Sequence, residues 1–446
     1  MPRTHSLDFR LYSNRIAFFL LLFVLMPMLT PRASAQDSGP QPPPGAPQAP
    51  GAPGTPGTRN ASSKNAFISH VEKLFTHKPE SLLVGSIVPG AGTGVGAHYV
   101  KDFSRDPWER EFRATALVTI RAFSMQELQL RFAHDSFTPF GQTADKFNMH
   151  LYVRNRDLRK MPFYGLGPQP NFASQALFHE RDTLAGVDAT DPLVSWLAVG
   201  GRLETLWHDA GDPTNSPNAQ RISLLYPGTP GLATQPNLMH YEVFLRPHYP
   251  AQPPFNFDYR ISYGYYQDHD TGTFSFRRLT VNAYNNIYPF HLADGATNAD
   301  RFLTLHALLT ESDASANHFV PFYLQPTLGG TDANGDPTLR GYKDYTFRGP
   351  NALLFQVEYN HRFYKYLGGF VFYDAGKVTL RRSDLDFTNL RQSYGFGVSF
   401  WMNDLVLFKM YVGLGSGQGV HPFFGVPNFT GANLVTGRGP AATPWD

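Results

Sequence analysis

The sequence predicts an all-β protein, and within that class a closed antiparallel transmembrane β-barrel. Hydrophobic and polar residues alternate with a period of two over most of the chain, which is the pattern of strands with one face in lipid. Aromatic residues make up 14% of the 446 residues, while charged residues make up only 17%. The mean hydropathy is nevertheless −0.30. A barrel fits both facts, because its strands need an apolar residue only at every second position.

Residues 1–35 are predicted to be a cleavable secretory signal peptide. Arginines precede an apolar run at 16–26, and the small residues Ala33 and Ala35 follow it. The run is shorter than the roughly 20 apolar residues of a spanning helix, which favours cleavage before Gln36 over a single membrane anchor. Beyond residue 36 no stretch is long and uncharged enough to span a membrane as a helix, so the sequence excludes a helical membrane protein.

Two short segments separate this leader from the strands. Residues 36–63 are rich in Pro and Gly and predict an extended periplasmic linker. Residues 64–80 carry apolar residues at helical spacing and predict a short amphipathic helix. This helix could plug the lumen of the barrel or lie against its periplasmic rim as a cap. The apolar positions are Phe67, Ile68, Val71, Leu74 and Phe75.

From about Ser81 the hydrophobic period is two. Residues 112–121 and 127–132 alternate and predict a hairpin, and in the segment 257–265 aromatic residues alternate with Asp258, Arg260 and Ser262. A soluble sandwich would turn the oily face inward and a barrel would turn it outward, so alternation alone leaves both open. The signal peptide, the aromatic content and strands of 9 to 11 residues favour the barrel.

Polar Gly/Asn/Asp/Pro segments separate the strands at Asp209–Asn218, Gly228–Asn237 and Thr327–Pro337. They predict long loops at one end of the barrel and short turns at the other. The glycine-rich segment Gly90–Gly96 lacks the lysine and the spacing of a phosphate-binding loop, and it is interpreted as the first barrel strand.

The sequence indicates no catalytic residue, metal site or cofactor. Cysteine is absent, which excludes disulfides, thiolate metal sites, a cysteine nucleophile and an N-terminal lipid anchor on cysteine. The 16 histidines are scattered without a metal-binding pair, and no serine lies in a nucleophile elbow. A net charge of +2 gives no indication of nucleic acid as a partner.

The most specific pattern lies between Leu328 and Val378. Gly329-Gly330 is followed by Leu339-Arg340-Gly341-Tyr342, then by a strand through Glu358, and then by Tyr373-Asp374-Ala375-Gly376. This ordered set resembles the bacterial surface antigen superfamily, which includes outer-membrane assembly factors, two-partner secretion transporters and chloroplast import pores. The resemblance covers most of residues 81–429.

The resemblance implies a barrel of 16 strands with an extracellular loop folded into the lumen. In the superfamily an Arg-Gly-aromatic loop tip pairs with acidic residues on the inner wall, and the matching positions are Arg340, Gly341 and Tyr342 on the loop and Glu358 and Asp374 on the wall. Alternation within 353–363 independently places Glu358 on the polar face. Glycine after the arginine would let the loop backbone approach the wall. These five residues are the predicted lumenal loop lock.

The chain departs from the superfamily in two respects. Residues 36–80 are too few for a periplasmic polypeptide-transport domain of roughly 75 residues, which leaves substrate capture of the known kind in doubt. Outer-membrane barrels generally end on an aromatic residue that closes the last strand, whereas the last residue here is Asp446, after Trp445. The final strand is therefore placed at Gly419–Phe429, and residues 430–446 are interpreted as a tail.

The resulting hypothesis is a barrel in the bacterial outer membrane that acts in the insertion or transport of polypeptides and is not an enzyme. Its expected partners are outer-membrane lipid and unfolded polypeptides. The alternatives are a passive porin-like or structural barrel, and an outer-membrane hydrolase whose site would be assembled from distant strands.

Overall fold

The computed structural model describes residues 80–135, 146–214, 217–249, 255–289, 300–333, 335–402, 405–415 and 419–425. The predicted signal peptide, linker and tail, and all of the predicted amphipathic helix except Glu80, lie outside these ranges. Glu80 itself belongs to the first strand.

Eighteen strands make up almost all of the regular structure in the described ranges. They are β1 Glu80–Gly85, β2 Gly94–Asp102, β3 Glu109–Thr119, β4 Ser124–Asp135, β5 Lys146–Phe163, β6 Ala176–Val194, β7 Leu197–Gly211, β8 Leu238–Tyr249, β9 Phe255–Asp268, β10 Phe276–Ile287, β11 Arg301–Ala314, β12 Thr327–Leu328, β13 Phe347–Arg348, β14 Asn351–Tyr364, β15 Leu367–Thr379, β16 Arg391–Met402, β17 Leu405–Gly415 and β18 Gly419–Gly425. Short helices lie at Asn218–Gln220, Ile222–Leu225, Phe322–Leu324 and Arg382–Asp384.

Sixteen of these strands form one antiparallel sheet in which every strand pairs with its neighbours in the chain, except that β11 pairs with β14. The two short strands β12 and β13 pair with each other inside the loop between β11 and β14. The all-β class and the number of 16 antiparallel strands are therefore confirmed. Within the described ranges no pairing joins β1 to β18, so the closure of the predicted barrel is not seen.

The connections differ in length at the two ends of the sheet. At one end lie residues 212–237 and 315–350, whereas the opposite end has two-residue connections at 195–196 and 365–366. The two longest connections thus lie at the same end, as predicted, and the opposite end carries a longer connection at 288–300. Asp209–Gly211, predicted to be part of a loop, instead form the end of β7.

The two faces of the sheet show an inside-out distribution of polarity. Val243 is 65% exposed and Phe396 is 62% exposed, whereas Arg154 and Arg260 on the other face are only 3% and 4% exposed. In water this arrangement would be unfavourable twice, because it exposes apolar surface and buries charge. It is favourable when the apolar face contacts lipid and the polar face encloses the interior.

This distribution decides between the two solutions that the alternation left open. In β9, Tyr263 and Tyr265 are exposed while Arg260 and Ser262 are buried, so the oily face is the outer one. The predicted hairpin at 112–132 is also confirmed, as β3 pairs with β4. No helix in the described part of the chain is long and apolar enough to cross a membrane.

The placement of the first strand was wrong. The sheet begins with β1, and the segment Gly90–Gly96 forms the turn after it and the start of β2. Gly90 and Gly92 have φ angles of +83° and +75°. Only glycine adopts this backbone region readily, so these glycines serve the turn and not a weakly paired strand.

The longer loops cover a packed apolar core on the polar side of the sheet. Ile87, Phe163, Phe178, Phe322 and Tyr345 are each at most 2% exposed and belong to one cluster. The rings of Phe163 and Phe178 contact the ring of Phe322 edge-on, at centroid distances of 5.6 and 5.0 Å. The loop at 315–350 therefore fills interior space next to the strands.

Candidate functional site: a loop arginine held by four strands

The loop at 315–350 folds back onto the polar face of the sheet. Thr338, Leu339, Arg340 and Tyr342 are all buried. Leu339 and Tyr342 belong to an apolar cluster with Leu354 of β14 and other residues. The remaining members of that cluster are Leu328, Phe347, Ala352 and Val378. Apolar contacts thus hold the loop backbone close to β14 and β15.

Arg340 forms the centre of a charged network between the loop and the sheet. Its Nη2 donates to Asp374 Oδ1 over 2.7 Å and its Nε donates to Asp374 Oδ2 over 3.1 Å. Its Nη1 donates to Glu358 Oε2. The backbone N–H of Arg340 also donates to Asp374 Oδ2, over 3.0 Å. One guanidinium group therefore bridges carboxylates on two adjacent strands, as a planar fork of donors can.

Asp374 is fully buried, and the donors around it satisfy its charge. Besides Arg340, the Nε2 of Gln356 donates to Oδ1 over 3.1 Å and the Oγ of Ser393 donates to Oδ2 over 2.9 Å. Gln356 also donates to the carbonyl oxygen of Thr338 in the loop, over 2.7 Å. A buried carboxylate is costly unless it is paired and hydrogen-bonded, and here both conditions are met.

Glu358 links the network to a fourth strand. Lys409 of β17 donates from Nζ to Glu358 Oε1 over 2.7 Å. The Cζ atom of Arg340 lies 3.7 Å from the ring centroid of Phe372, which is within the range of a cation–π contact. With Asp374 on β15, Ser393 on β16 and Lys409 on β17, the network spans β14 to β17.

Glycines allow the loop tip to lie directly on β17. A Cβ atom added to Gly341 would come within 2.4 Å of the backbone N of Gly415, and one added to Gly413 would come within 2.4 Å of the carbonyl oxygen of Arg340. Both distances are too short for real atoms, so the close approach requires glycine on the loop and on the strand. This contact fixes the position from which the Arg340 side chain reaches Asp374.

Two tyrosines anchor the loop beyond the arginine. The hydroxyl of Tyr342 donates to the carbonyl oxygen of Gln392 over 3.2 Å, and its ring packs against Phe347 at a centroid distance of 5.1 Å. The hydroxyl of Tyr345 donates to the carbonyl oxygen of Pro89 over 3.0 Å. The loop is thus attached both to β16 and to the turn between the first two strands.

The environment favours the charged form of Arg340. Burial lowers the pKa of the guanidinium, but Asp374 and Glu358 outweigh burial and raise the pKa above its ordinary value. Nearby in the loop, burial raises the pKa of the Asp344 carboxyl, against the lowering effect of the hydrogen bond from the N–H of Thr331. Among the described residues no group of His, Asp and Glu has the arrangement of a metal site.

The structure brings all five residues of the predicted lock together, and the network contains further members. Gln356 and Ser393 are the direct cross-strand neighbours of Asp374 in β14 and β16. Both residues could be predicted from the strand register, which the sequence alone does not provide. Lys409 and Phe372 approach from positions that no spacing in the sequence signals.

Comparison with known proteins identifies the fold. No protein-family model and no curated protein sequence matches this chain. The structure resembles BamA from Haemophilus ducreyi lacking POTRA domains 1–3, with a TM-score of 0.53 and 12% identity over 78% of this chain and 69% of that chain. It also resembles CdiB from Escherichia coli, with a TM-score of 0.50 and 11% identity over 77% of this chain and 60% of that chain.

These likenesses concern the fold. The chain has a barrel-like, 16-stranded antiparallel architecture that resembles these two structures. Since the chain spans about 60% of CdiB, it matches only part of that protein.

Proposed function

We propose that this protein is a barrel of the bacterial outer membrane that acts in the insertion or transport of polypeptides, with the loop at 315–350 held in its lumen by Arg340, Glu358 and Asp374. The observation that carries the proposal is the charged network, which ties one loop to four neighbouring strands. A loop anchored to several strands suits a gate that is held shut and then released to open a path for a polypeptide.

The proposed location rests on the inside-out distribution of polarity. Apolar side chains such as Val243 and Phe396 are exposed, and charged side chains such as Arg154 and Arg260 are buried. The lipid of the outer membrane is then the expected partner of the exposed face. Unfolded polypeptides are the proposed substrates.

A passive diffusion barrel is the second candidate, and the packing of the interior argues against it. Phe322 and Tyr345 of the loop pack into the same apolar cluster as Phe163 and Phe178 of the wall. A loop that fills the interior in this way would restrict the diffusion of solutes. An outer-membrane hydrolase is the third candidate, and it would need a nucleophile and a base brought together from distant strands.

The membrane location can be tested by fractionation. We expect the mature protein to be recovered in the outer membrane and to change its mobility on gels after boiling, because barrels resist detergent until they are heated. Recovery in the soluble periplasmic fraction would contradict the proposed location.

The proposed activity can be tested on purified full-length protein reconstituted in liposomes. Two measurements are made on the same vesicles: ion conductance, and the rate at which an unrelated outer-membrane barrel inserts and becomes protease-resistant. We expect low conductance and an insertion rate above that of empty vesicles. High conductance with no effect on insertion would favour the passive barrel instead. Arg159 is an exposed arginine outside the network. Vesicles with Arg159→Gln therefore provide the matched control for vesicles with Arg340→Ala.

A further inference from the structure

A second buried polar region lies against the loop and does not include Arg340 among its lining residues. It is a cavity of about 200 Å³ between the loop and strands β5 to β11. This volume is large enough for a phosphate-sized group together with some water. Five arginines line it, namely Arg154, Arg156, Arg202, Arg278 and Arg348.

Two of these arginines converge on one short turn. Arg278 of β10 donates from Nη2 to the carbonyl oxygen of Leu324 over 2.8 Å, and Arg348 of β13 donates from Nη1 to the carbonyl oxygen of Phe322 over 2.7 Å. Both carbonyl groups belong to the 3-10 helix Phe322–Leu324. Both guanidinium groups are therefore bonded to neutral oxygens of the same turn.

Neither of the two guanidinium groups has a carboxylate within 4.0 Å among the described residues. Arg278 also donates from Nε to the Oγ of Ser312 over 3.1 Å. Arg278 and Arg348 are each 5% exposed, and the Nε of Arg348 is buried without a hydrogen-bond partner. Arg278 lies near the rings of Tyr266 and Phe276, and Arg348 lies near the rings of Phe178 and Phe322. A buried charge that is not paired with a carboxylate is destabilising, so this arrangement favours the binding of a negative charge.

Four carboxylates also line the cavity, and two of them bond to other lining side chains. Asp182 accepts from Arg156 over 2.8 Å, and Glu204 accepts from His240 over 2.9 Å. Glu180 lies 3.4 Å from His208, and Asp332 completes the set. None of the four forms a described ion pair with Arg278 or Arg348.

Other donors line the same cavity. The hydroxyl of Tyr323 is buried without a hydrogen-bond partner. Arg202 also lines the cavity, with its Nε 3.9 Å from Glu204 Oε1. Burial lowers the pKa of Arg348 to about 10, with Glu180 and Tyr345 opposing the effect, so the group remains positively charged at neutral pH. Charged and neutral donors together can hydrogen-bond a bound oxyanion.

We propose that this cavity binds a phosphate group, with Arg278 and Arg348 as its principal ligands and Arg202 and Tyr323 as further donors. The group could be free inorganic phosphate or the phosphate of a lipid headgroup, and the chemistry of recognition is the same. A bound anion would join the wall at β10 to the base of the loop at β13. The site is separate from the proposed transport role and does not depend on it.

The test uses the full-length protein in an uncharged maltoside detergent free of lipid and phosphate. Inorganic phosphate is titrated by calorimetry, and the midpoint of thermal unfolding is followed at constant ionic strength with chloride as the reference anion. We expect saturable binding and a rise in the midpoint with phosphate, because a ligand of the native state stabilises it. Dihexanoyl phosphatidic acid replaces phosphate in a second arm, with dihexanoylglycerol as its phosphate-free control.

Variants locate the site. Arg348→Gln and Arg278→Gln should each weaken phosphate binding at least tenfold, while Arg159→Gln should leave it unchanged. Arg348→Lys keeps the charge and should retain part of the affinity, which provides a test should a Gln variant fail to fold. Tighter binding of phosphatidic acid than of phosphate would identify a lipid headgroup as the source. Absence of binding in both arms, or equal binding by the wild type and both Gln variants, would overturn the proposal.

Discussion

Arg340 and Arg348 lie on the same loop, are each 5% exposed and lie over aromatic rings, yet their polar partners differ. Arg340 makes hydrogen bonds to two carboxylates and lies over the ring of Phe372. Arg348 donates to one carbonyl oxygen and has an unpartnered Nε. The comparison teaches that burial of an arginine does not define its role. The partners decide whether the group closes a network or is available to a ligand.

The largest expected effect is that of Arg340→Ala. It would leave Asp374 and Glu358 close together without the bridging cation, and breaking such a buried network typically costs about 3–5 kcal/mol. We expect the loop to leave the lumen. Limited proteolysis should then cleave within Gly329–Tyr342, and conductance in liposomes should rise.

Two variants control this experiment. Arg340→Lys should restore the wild-type behaviour only in part, because an ammonium group cannot bridge two carboxylates as a guanidinium group does. Arg348→Ala should leave the loop tip protected, since the contacts of Arg348 lie at the base of the loop. Proteolysis and conductance of Arg340→Ala equal to those of the wild type would refute the proposed lock.

A smaller effect in the same direction is expected for Asp374→Asn. The amide keeps the shape of the side chain but loses the negative charge, and hydrogen bonds to charged groups contribute about 1.5–3 kcal/mol each. The measurement is the urea concentration at which the loop becomes accessible to protease. If Asp374→Asn released the loop more readily than Arg340→Ala, the arginine would not be the centre of the network.

The close contact between loop and strand can be tested by Gly413→Ala. The added methyl group would meet the carbonyl oxygen of Arg340 and displace the loop tip, and overpacking of this kind costs about 1–3 kcal/mol. We expect partial exposure of the loop in the same protease assay. Gly228→Ala, where an added Cβ meets nothing within 4 Å, should behave as the wild type.

Ser393→Ala should have the smallest effect. It removes one of several donors to Asp374, and a single hydrogen bond to a charged group contributes about 1.5–3 kcal/mol, whereas Asp374→Asn weakens all of these bonds at once. The loop should remain docked at room temperature, with a modest increase in the rate of hydrogen exchange at residues 338–342. A change as large as that of Asp374→Asn would mean that Ser393 has a role beyond this bond.

The sequence was sufficient to predict the all-β fold class and the pairing of Arg340 with Glu358 and Asp374. Alternation placed Glu358 on the polar face, and the superfamily motif pointed to Arg340 and Asp374. It could not supply Lys409, whose contact with Glu358 depends on how four strands are arranged in space. It also misplaced the first strand, because glycines at positive φ in a turn and glycines in a strand look alike in a sequence.

The hydrogen bond from Tyr345 to Pro89 has a consequence for the order of assembly. It joins groups 256 positions apart in the chain. Contacts of such sequence separation carry a high loop-closure entropy and form late in folding. The Arg340 network in turn needs strands up to β17, so the loop can dock only once nearly the whole sheet exists. An unfinished or truncated chain would lack this docked state, and protection of the loop therefore reports that folding is complete.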